Sequence, residues 1–131
     1  MKTILLDTNA YTHLLSGNEA VLDTISIAEI IYMSIFVLGE IYAGFAGGTK
    51  EAENKEILHD FLLRSTIKIL NATSETASIF GFVKNLLRNA GTPIPINDVW
   101  IATHALESGS TLITYDAHFS VIPGLRVWGR N

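Results

Sequence analysis

The stretch TILLDTN, residues 3–9, is a short apolar run that ends at a carboxylate. An unbroken run of this kind is typical of a strand that is buried on both faces, as in the centre of a parallel sheet. Asp7 would then stand at the carboxyl end of that strand. The stretch therefore predicts a central strand whose last residue is followed by an acid, at the edge where open α/β sheets bind ligands.

Further apolar runs follow, separated by segments with helical periodicity. We expect strands at residues 30–35, 67–70 and 111–114, and an edge strand at 125–128. Six helices are predicted, at about residues 11–15, 19–29, 36–46, 49–64, 74–89 and 98–107. Thr49, Thr73 or Ser74, and Asn97 are the expected caps of the last three helices. Strands that alternate with helices predict an α/β fold, with a mainly parallel sheet of four to five strands covered by helices on both faces.

The composition of the chain limits what kind of protein it can be. It has 131 residues, of which 48% are apolar and 17% are charged. This supports a sizeable core, excludes a disordered or fibrous chain, and fits a single domain over residues 1–131. Because there is no cysteine, a disulfide scaffold, a cysteine-ligated metal centre and a thiol nucleophile are excluded.

The charge balance is acidic, with nine Lys and Arg against thirteen Asp and Glu, a net charge of −4. That average does not attract a polyanion, so a protein of this kind that acts on nucleic acid must localise its basic residues or recruit cations. No run of about 18 apolar residues is present, and Asp7 comes too early for a signal peptide. We expect a cytoplasmic protein that does not span a membrane.

Four acids stand where the expected fold would bring them to one edge of the sheet. Asp7 ends the first strand, and Asp116 lies two residues beyond the fourth. Asp98 opens the sixth helix and is followed at helical spacing by small and apolar residues, so its side chain should point inward. Glu40 lies beside the apolar face of the third helix and could lean into the same cleft. Each acid also has a structural alternative, as a cap, a helix-dipole partner, a turn residue or a solvated side chain.

Carboxylates that meet in one cleft repel one another and take up protons unless a divalent cation lies between them. A set of oxygen ligands without cysteine favours Mg²⁺ or Mn²⁺ over zinc. Without these four acids the chain has nine positive and nine negative charges, so its excess acidity equals that of the expected site. A cation held there can activate a water and stabilise a leaving oxygen, which is the chemistry of phosphodiester hydrolysis.

Other polar and apolar side chains could serve this site. Thr8, Asn9, Asn97 and Thr114 flank the acids and could orient the ligands or the waters of a cation, although capping and turn roles also explain them. His118 is better explained as a partly exposed loop histidine than as a group that transfers protons or contacts phosphate. The third and fourth helices carry apolar residues that form either core packing or a groove for a partner's helix; they are Tyr42, Phe45, Ile57, Leu58, Phe61 and Leu62.

Four blocks of the sequence, in order and at similar spacing, resemble those of PIN-domain ribonucleases. The blocks are LLDTN at 5–9, GEI at 39–41, NDVWIA at 97–102 and LITYDAHF at 112–119. The ending IPGLRV at 122–127 narrows the resemblance to the VapC toxins of bacterial and archaeal toxin–antitoxin pairs. The resemblance covers nearly the whole chain. One departure is His118, since some members of the family carry a further acid at this position.

The resemblance implies a three-layer α/β/α fold in which Asp7, Glu40, Asp98 and Asp116 hold one or two Mg²⁺ or Mn²⁺ ions. It also implies an endoribonuclease that cuts single-stranded regions, often in structured RNAs such as tRNA. A homodimer, and inhibition by a VapB-type antitoxin, are implied as well.

Other functions remain open at this point. A housekeeping PIN nuclease of RNA processing would carry the same acids, and so would a PIN module that binds RNA or protein without cutting. A signalling receiver is disfavoured, because Asn71 stands where its phosphorylated acid would follow the third strand. An aspartyl phosphatase is disfavoured because Asn9 replaces the second acid that such sites require.

Overall fold

The computed structural model describes residues 2–129, so residues 1, 130 and 131 of the expected domain lie outside it. The strands are β1 (Thr3–Leu6), β2 (Ile30–Ser34), β3 (Ile67–Leu70) and β4 (Thr111–Ile113). The helices are α1 (Thr8–Leu15), α2 (Glu19–Ile27), α3 (Ile35–Phe45), α4 (Glu51–Leu62), α5 (Ser74–Ala90) and α6 (Ile96–Ser108), with a 3₁₀ helix at Ala117–Val121. No helix in the described range has the length and apolar character needed to cross a bilayer.

The four strands form one all-parallel sheet in the order β3–β2–β1–β4. β1 lies between β2 and β4, and Ile4, Leu5 and Leu6 have no exposed surface. This burial on both faces explains why the strand is apolar throughout rather than alternating. With the right-handed crossovers that parallel strands require, the helices cover both faces, and the layers are α/β/α as predicted.

The order of the strands positions the functional edge of the sheet. From β1 the chain moves through β2 to β3, and it then returns to pair β4 with the other side of β1. Where the direction reverses, the connections leave neighbouring strands on opposite faces and open a crevice at their carboxyl ends. Asp7 lies at that crevice, because its backbone N–H donates to the carbonyl of Ile113 in β4 at 3.2 Å.

The sequence placed the four main strands and six helices within a few residues of their ends, but the edge strand and two caps were wrong. Within 125–128, Val127 makes a single parallel bridge to Leu112 rather than a strand. Lys50, not Thr49, precedes α4 and makes no side-chain capping bond. Pro95, not Asn97, precedes α6. The φ of Pro95, −53°, is compatible with a helix that begins at Ile96, so Asn97 lies in the first turn rather than at the cap. Thr73 does cap α5, through a reciprocal pair of bonds with Thr76.

Candidate active site

A cleft of about 390 Å³ opens at the carboxyl ends of β1 and β4. All four acids singled out in the sequence line it. Its lining residues are Asp7, Thr8, Asn9, Glu40, Asp98, Ile101, Asp116 and Phe119. The acids come from four separate parts of the chain, so their meeting is a product of the fold rather than of local sequence. We call this cavity the acidic cleft.

Asp7 is the most buried of the four acids, with 5% of its surface exposed. Its Oδ1 accepts the backbone N–H of Ala10 at 2.7 Å and so caps α1. The capping role and the place in the cleft, which were alternatives in the sequence, are both present. Burial raises the pKa of this carboxyl group, and the charges of Asp98 and Asp116 raise it further, against the hydrogen bonds from Thr114 and Ala10.

Asp98 and Asp116 approach the cleft from α6 and from the turn after β4. Asp98 lies in the first turn of α6, where the helix dipole favours a negative charge. Burial raises its pKa, Glu40 and Asp116 add to that effect, and His118 opposes it. Asp116 caps the 3₁₀ helix, and its own backbone N–H donates to Thr114 Oγ1 at 2.9 Å.

Glu40 reaches the cleft from the middle of α3. The helix is anchored by Val37 and Ile41, which are buried on the side facing the core. Thr8 Oγ1, at the start of α1, donates to Glu40 Oε1 at 2.5 Å. This hydrogen bond joins α1 to α3 at the rim of the cleft and limits where the carboxylate can point.

No Lys or Arg of the described residues forms an ion pair with the acids of the cleft. Within residues 2–129, the only ion-pair contact that reaches them comes from His118. Carboxylates brought together in this way are unfavourable when ionised, unless a cation is shared among them. Asp98, Asp116 and His118 offer ligand atoms that all lie within 4.8 Å of one another. The carboxylate oxygens of the cleft therefore fit a divalent cation that prefers oxygen ligands.

His118 is a residue of the site whose contacts the sequence did not reveal. Its Nε2 lies 2.7 Å from Asp98 Oδ2, and its Nδ1 lies 2.7 Å from Asp116 Oδ1. The predicted loop histidine is indeed partly exposed, with 33% of its side chain accessible, but it also bridges two of the four acids. The available signal was its spacing of two residues from Asp116 within a predicted turn.

The other flanking residues divide between the cleft and its surroundings. Thr8 and Asn9 line the cleft. Thr114 is buried and hydrogen-bonds both Asp7 and the backbone of Asp116. Asn97 lies in α6 but does not line the cavity.

A second cavity, of about 280 Å³, adjoins the acidic cleft between α1, α3 and α4. Thr8 and Glu40 line both cavities. The remaining lining residues are uncharged, and most of them are apolar or aromatic: Tyr11, Thr12, Leu15, Ile41, Gly44, Phe45 and Asn54. We call this cavity the apolar groove. Of the six residues that the sequence suggested for a groove on α3 and α4, Phe45 lines it, whereas Leu58 and Phe61 are buried in the core.

Comparisons with known proteins agree with this architecture. Residues 4–125 match the family model of the PIN domain. Ribonuclease VapC2 of Rickettsia felis is 28% identical over 126 residues, which is 92% of each chain. Ribonuclease VapC1 of Haemophilus influenzae is 26% identical over 116 residues, 86% of this chain and 85% of the relative. A DNA-bound VapBC structure from Salmonella typhimurium is 25% identical, with a TM-score of 0.85 over 97% of both chains. Since the family model spans nearly all of the chain, the protein belongs to the PIN-domain family.

Proposed function

We propose that this protein is a divalent-cation-dependent endoribonuclease, a hydrolase of RNA phosphodiester bonds, and that it is the toxin of a VapBC-type toxin–antitoxin system. One observation carries the proposal: four acids distant in sequence line one cleft, and no Lys or Arg in residues 2–129 forms an ion pair with them. The similarity to proteins named VapC ribonucleases supports it. Structured RNA such as tRNA is the proposed substrate, and the cytoplasm the proposed location.

The proposed cofactor is Mg²⁺ or Mn²⁺, held by Asp7, Glu40, Asp98 and Asp116. Carboxylate oxygens are the ligands that both ions prefer. Burial and neighbouring acids raise the pKa values of Asp7 and Asp98, which means that the ionised cluster is unfavourable on its own. A divalent cation reverses that penalty, because it favours the deprotonated form of each ligand.

In the proposed mechanism the cation supplies the chemistry, and the residues around it hold its ligands in position. When bound, the cation supplies the charge that lowers the pKa of a water and stabilises the leaving oxygen of the cut RNA strand. The protein holds the acids in place: the Ala10 N–H fixes Asp7, and the Thr8 hydroxyl fixes Glu40. Ile101 and Phe119 give the cleft apolar walls, and a less polar surrounding strengthens the electrostatic interactions inside it.

The charge of the cleft also bears on substrate binding. RNA is a polyanion, and four carboxylates that form no ion pair with a Lys or Arg of residues 2–129 repel its phosphates. A bound cation lowers that repulsion, so removal of the cation should abolish RNA docking in the cleft as well as the chemistry. The exposed Asn9 at the rim carries a neutral amide donor that could contact a phosphate or ribose without adding to the repulsion.

The proposed partner is a VapB-type antitoxin, and the proposed docking site is the apolar groove. A groove between helices accepts the apolar face of an amphipathic helix. Because Thr8 and Glu40 line both cavities, a helix in the groove would lie directly beside the acidic cleft and could close it to RNA. We also propose that the protein is a homodimer, as the resemblance to VapC toxins implies.

Cleavage of a labelled structured RNA by the purified protein tests the proposal. We expect cutting with Mg²⁺ or Mn²⁺ and none in EDTA. The double variant Asp7→Asn, Asp98→Asn should not cut, although Asn can still accept the capping bond from Ala10. Asp60→Asn, at an exposed position on α4, is the matched control and should cut normally. Full cleavage by the double variant, or cleavage in EDTA, would contradict the proposal.

A further inference from the structure

We propose that His118 supplies a nitrogen ligand to the cation, beside Asp98 and Asp116, and that the site therefore prefers a transition cation such as Mn²⁺ to Mg²⁺. The inference rests on the proposed cation-dependent function. It goes further by naming a ligand outside the four acids and by predicting which class of cation binds more tightly.

The imidazole ring of His118 is held in place by Asp116. The backbone N–H of His118 donates to Asp116 Oδ1 at 3.1 Å. The ring Nδ1 lies 2.7 Å from the same oxygen. One carboxylate oxygen therefore contacts both the backbone and the ring of His118, which fixes the direction in which the rest of the ring points.

The other ring nitrogen points at the acid on α6. His118 Nε2 lies 2.7 Å from Asp98 Oδ2, and Asp98 lines the acidic cleft. The ligand atoms of the three residues lie within 4.8 Å of one another. Nε2 thus lies beside a carboxylate oxygen of a residue that lines the cleft.

This arrangement matches the way in which histidine binds metals in proteins. A ligating histidine usually donates its second ring N–H to a carboxylate, which fixes its tautomer and orientation. Asp116 Oδ1, 2.7 Å from Nδ1, is placed to accept that N–H, while Nε2 exchanges its contact with Asp98 for the cation.

An imidazole ligand changes which cation the site prefers. Mg²⁺ is a hard cation that binds oxygen ligands and keeps several waters, whereas imidazole nitrogen is a good ligand for first-row transition metals. Four carboxylates alone would bind Mg²⁺ and Mn²⁺ with little discrimination by ligand type. A nitrogen ligand adds more affinity for Mn²⁺, a first-row transition cation, than for Mg²⁺.

Pulsed electron paramagnetic resonance of bound Mn²⁺ tests ligation directly, because a ligated imidazole nitrogen couples to the electron spin of the metal. We expect nitrogen coupling in the unmodified protein and in the control His59→Asn, whose histidine lies on the exposed side of α4. The coupling should be absent in His118→Asn and in His118→Asp. Nitrogen coupling that persists in both His118 variants would overturn the inference.

Titration of Mn²⁺ and of Mg²⁺, each alone and at one fixed pH, tests the preference. His118→Asn should weaken Mn²⁺ binding at least about tenfold and Mg²⁺ binding by much less. His118→Asp, which replaces the nitrogen donor with oxygen, should lower the ratio of Mn²⁺ to Mg²⁺ affinity by about tenfold or more. Equal weakening of both cations would mean that His118 only positions the acids, and would overturn the inference. Thermal unfolding of each variant shows that it is folded.

The two proposals fail in different ways. If the protein cuts RNA with a divalent cation but bound Mn²⁺ has no nitrogen coupling, the nuclease proposal stands and the role of His118 is overturned. If neither cation binds and no cation supports cleavage, both proposals are overturned.

Discussion

The acidic cleft and the apolar groove are neighbouring cavities of similar size with opposite chemistry. The cleft, of about 390 Å³, is lined by four carboxylates, and the groove, of about 280 Å³, is lined mainly by apolar and uncharged side chains. The cleft lies where β1 and β4 end, and the groove lies between helices. The cleft therefore depends on the sheet order, and the groove on helix packing.

The comparison shows how binding at one cavity can affect the other. Thr8 and Glu40 line both cavities, and a hydrogen bond joins them. Glu40 thus belongs to the charge of the cleft and to the wall of the groove. If the proposed functions are correct, substitutions at the two cavities should separate cleavage from antitoxin binding, and substitutions at the shared pair that keep the shape of the side chain should affect cleavage more than antitoxin binding.

The largest effect is expected from Glu40→Gln, which removes a charge from the cleft but keeps an acceptor for Thr8. RNA cleavage should fall at least about 100-fold, because the loss of a metal ligand exceeds the 10- to 100-fold cost of losing a supporting hydrogen bond. Affinity for a VapB-type antitoxin should change by less than about threefold, since the amide has the same shape. Glu53→Gln, exposed on α4, is the control. Cleavage within a few-fold of the unmodified rate would remove Glu40 from the site.

Leu15→Glu in the groove should have the opposite effect: it should weaken antitoxin binding and leave RNA cleavage almost unchanged. Leu15 lines the groove and is 50% exposed. Burying a charge against a partner's apolar helix should weaken antitoxin binding about 30-fold, as for a contact worth about 2 kcal/mol, while RNA cleavage should change little. Leu22→Glu is the matched control, because Leu22 is 42% exposed on α2 and does not line the groove. Equal binding by the two variants would place the partner elsewhere.

The sequence predicted the cleft better than the groove, and the reason is physical. A carboxylate at or shortly after the end of an apolar strand marks the carboxyl edge of a parallel sheet, so Asp7 and Asp116 could be placed from local sequence alone. Helical periodicity shows which face of a helix is apolar, but not which helix it meets. Tyr11 and Leu15 of α1 line the groove, whereas Leu58 and Phe61 of α4 turn towards the core.

His118 and the segment around Val127 mark the limit of what local sequence predicts. The ring direction of His118 depends on the turn that follows Asp116 and on the distance to α6, neither of which the local sequence encodes. The apolar residues of 125–128 do contribute to the core, since Val127 is only 6% exposed. The pairing with β4 nevertheless stops after one bridge, because the length of a ladder depends on the partner strand as well as on the pattern.

A smaller effect is expected from Thr8→Val, which tests the link between the cavities. The variant loses the donor to Glu40, and RNA cleavage should fall about tenfold, equivalent to about 1.4 kcal/mol for one hydrogen bond to a charged group. Thr8→Ser keeps the hydroxyl and should retain most of the activity. If Val and Ser variants cut equally well, the hydrogen bond does not position Glu40 in the active enzyme.

The smallest effect is expected in stability, from Asp7→Asn in the metal-free protein. Because burial raises the pKa of Asp7 above its ordinary value of 3.8, the folded state binds this proton more tightly than the unfolded state does. Proton binding by Asp7 therefore stabilises the folded state. This contribution to the free energy of unfolding is fully present below pH 3.8 and is lost as the pH rises through the higher pKa that Asp7 has in the folded state.

Thermal unfolding of Asp7→Asn against the unmodified protein, as a function of pH, measures this difference. The variant keeps an acceptor for Ala10, so at neutral pH without metal it should unfold a few degrees higher, and the gap should narrow towards pH 4. Mg²⁺ or Mn²⁺ should stabilise the unmodified protein more than the variant. By contrast, Leu15→Gln in the groove, which adds no titratable group, should show no such dependence on pH in this range or on metal. The opposite result would be a variant that unfolds at a lower temperature than the unmodified protein at neutral pH, by a difference that does not change on acidification. It would mean that the charge of Asp7 is already compensated within the folded chain, and that the cleft has no need of a cation at this position.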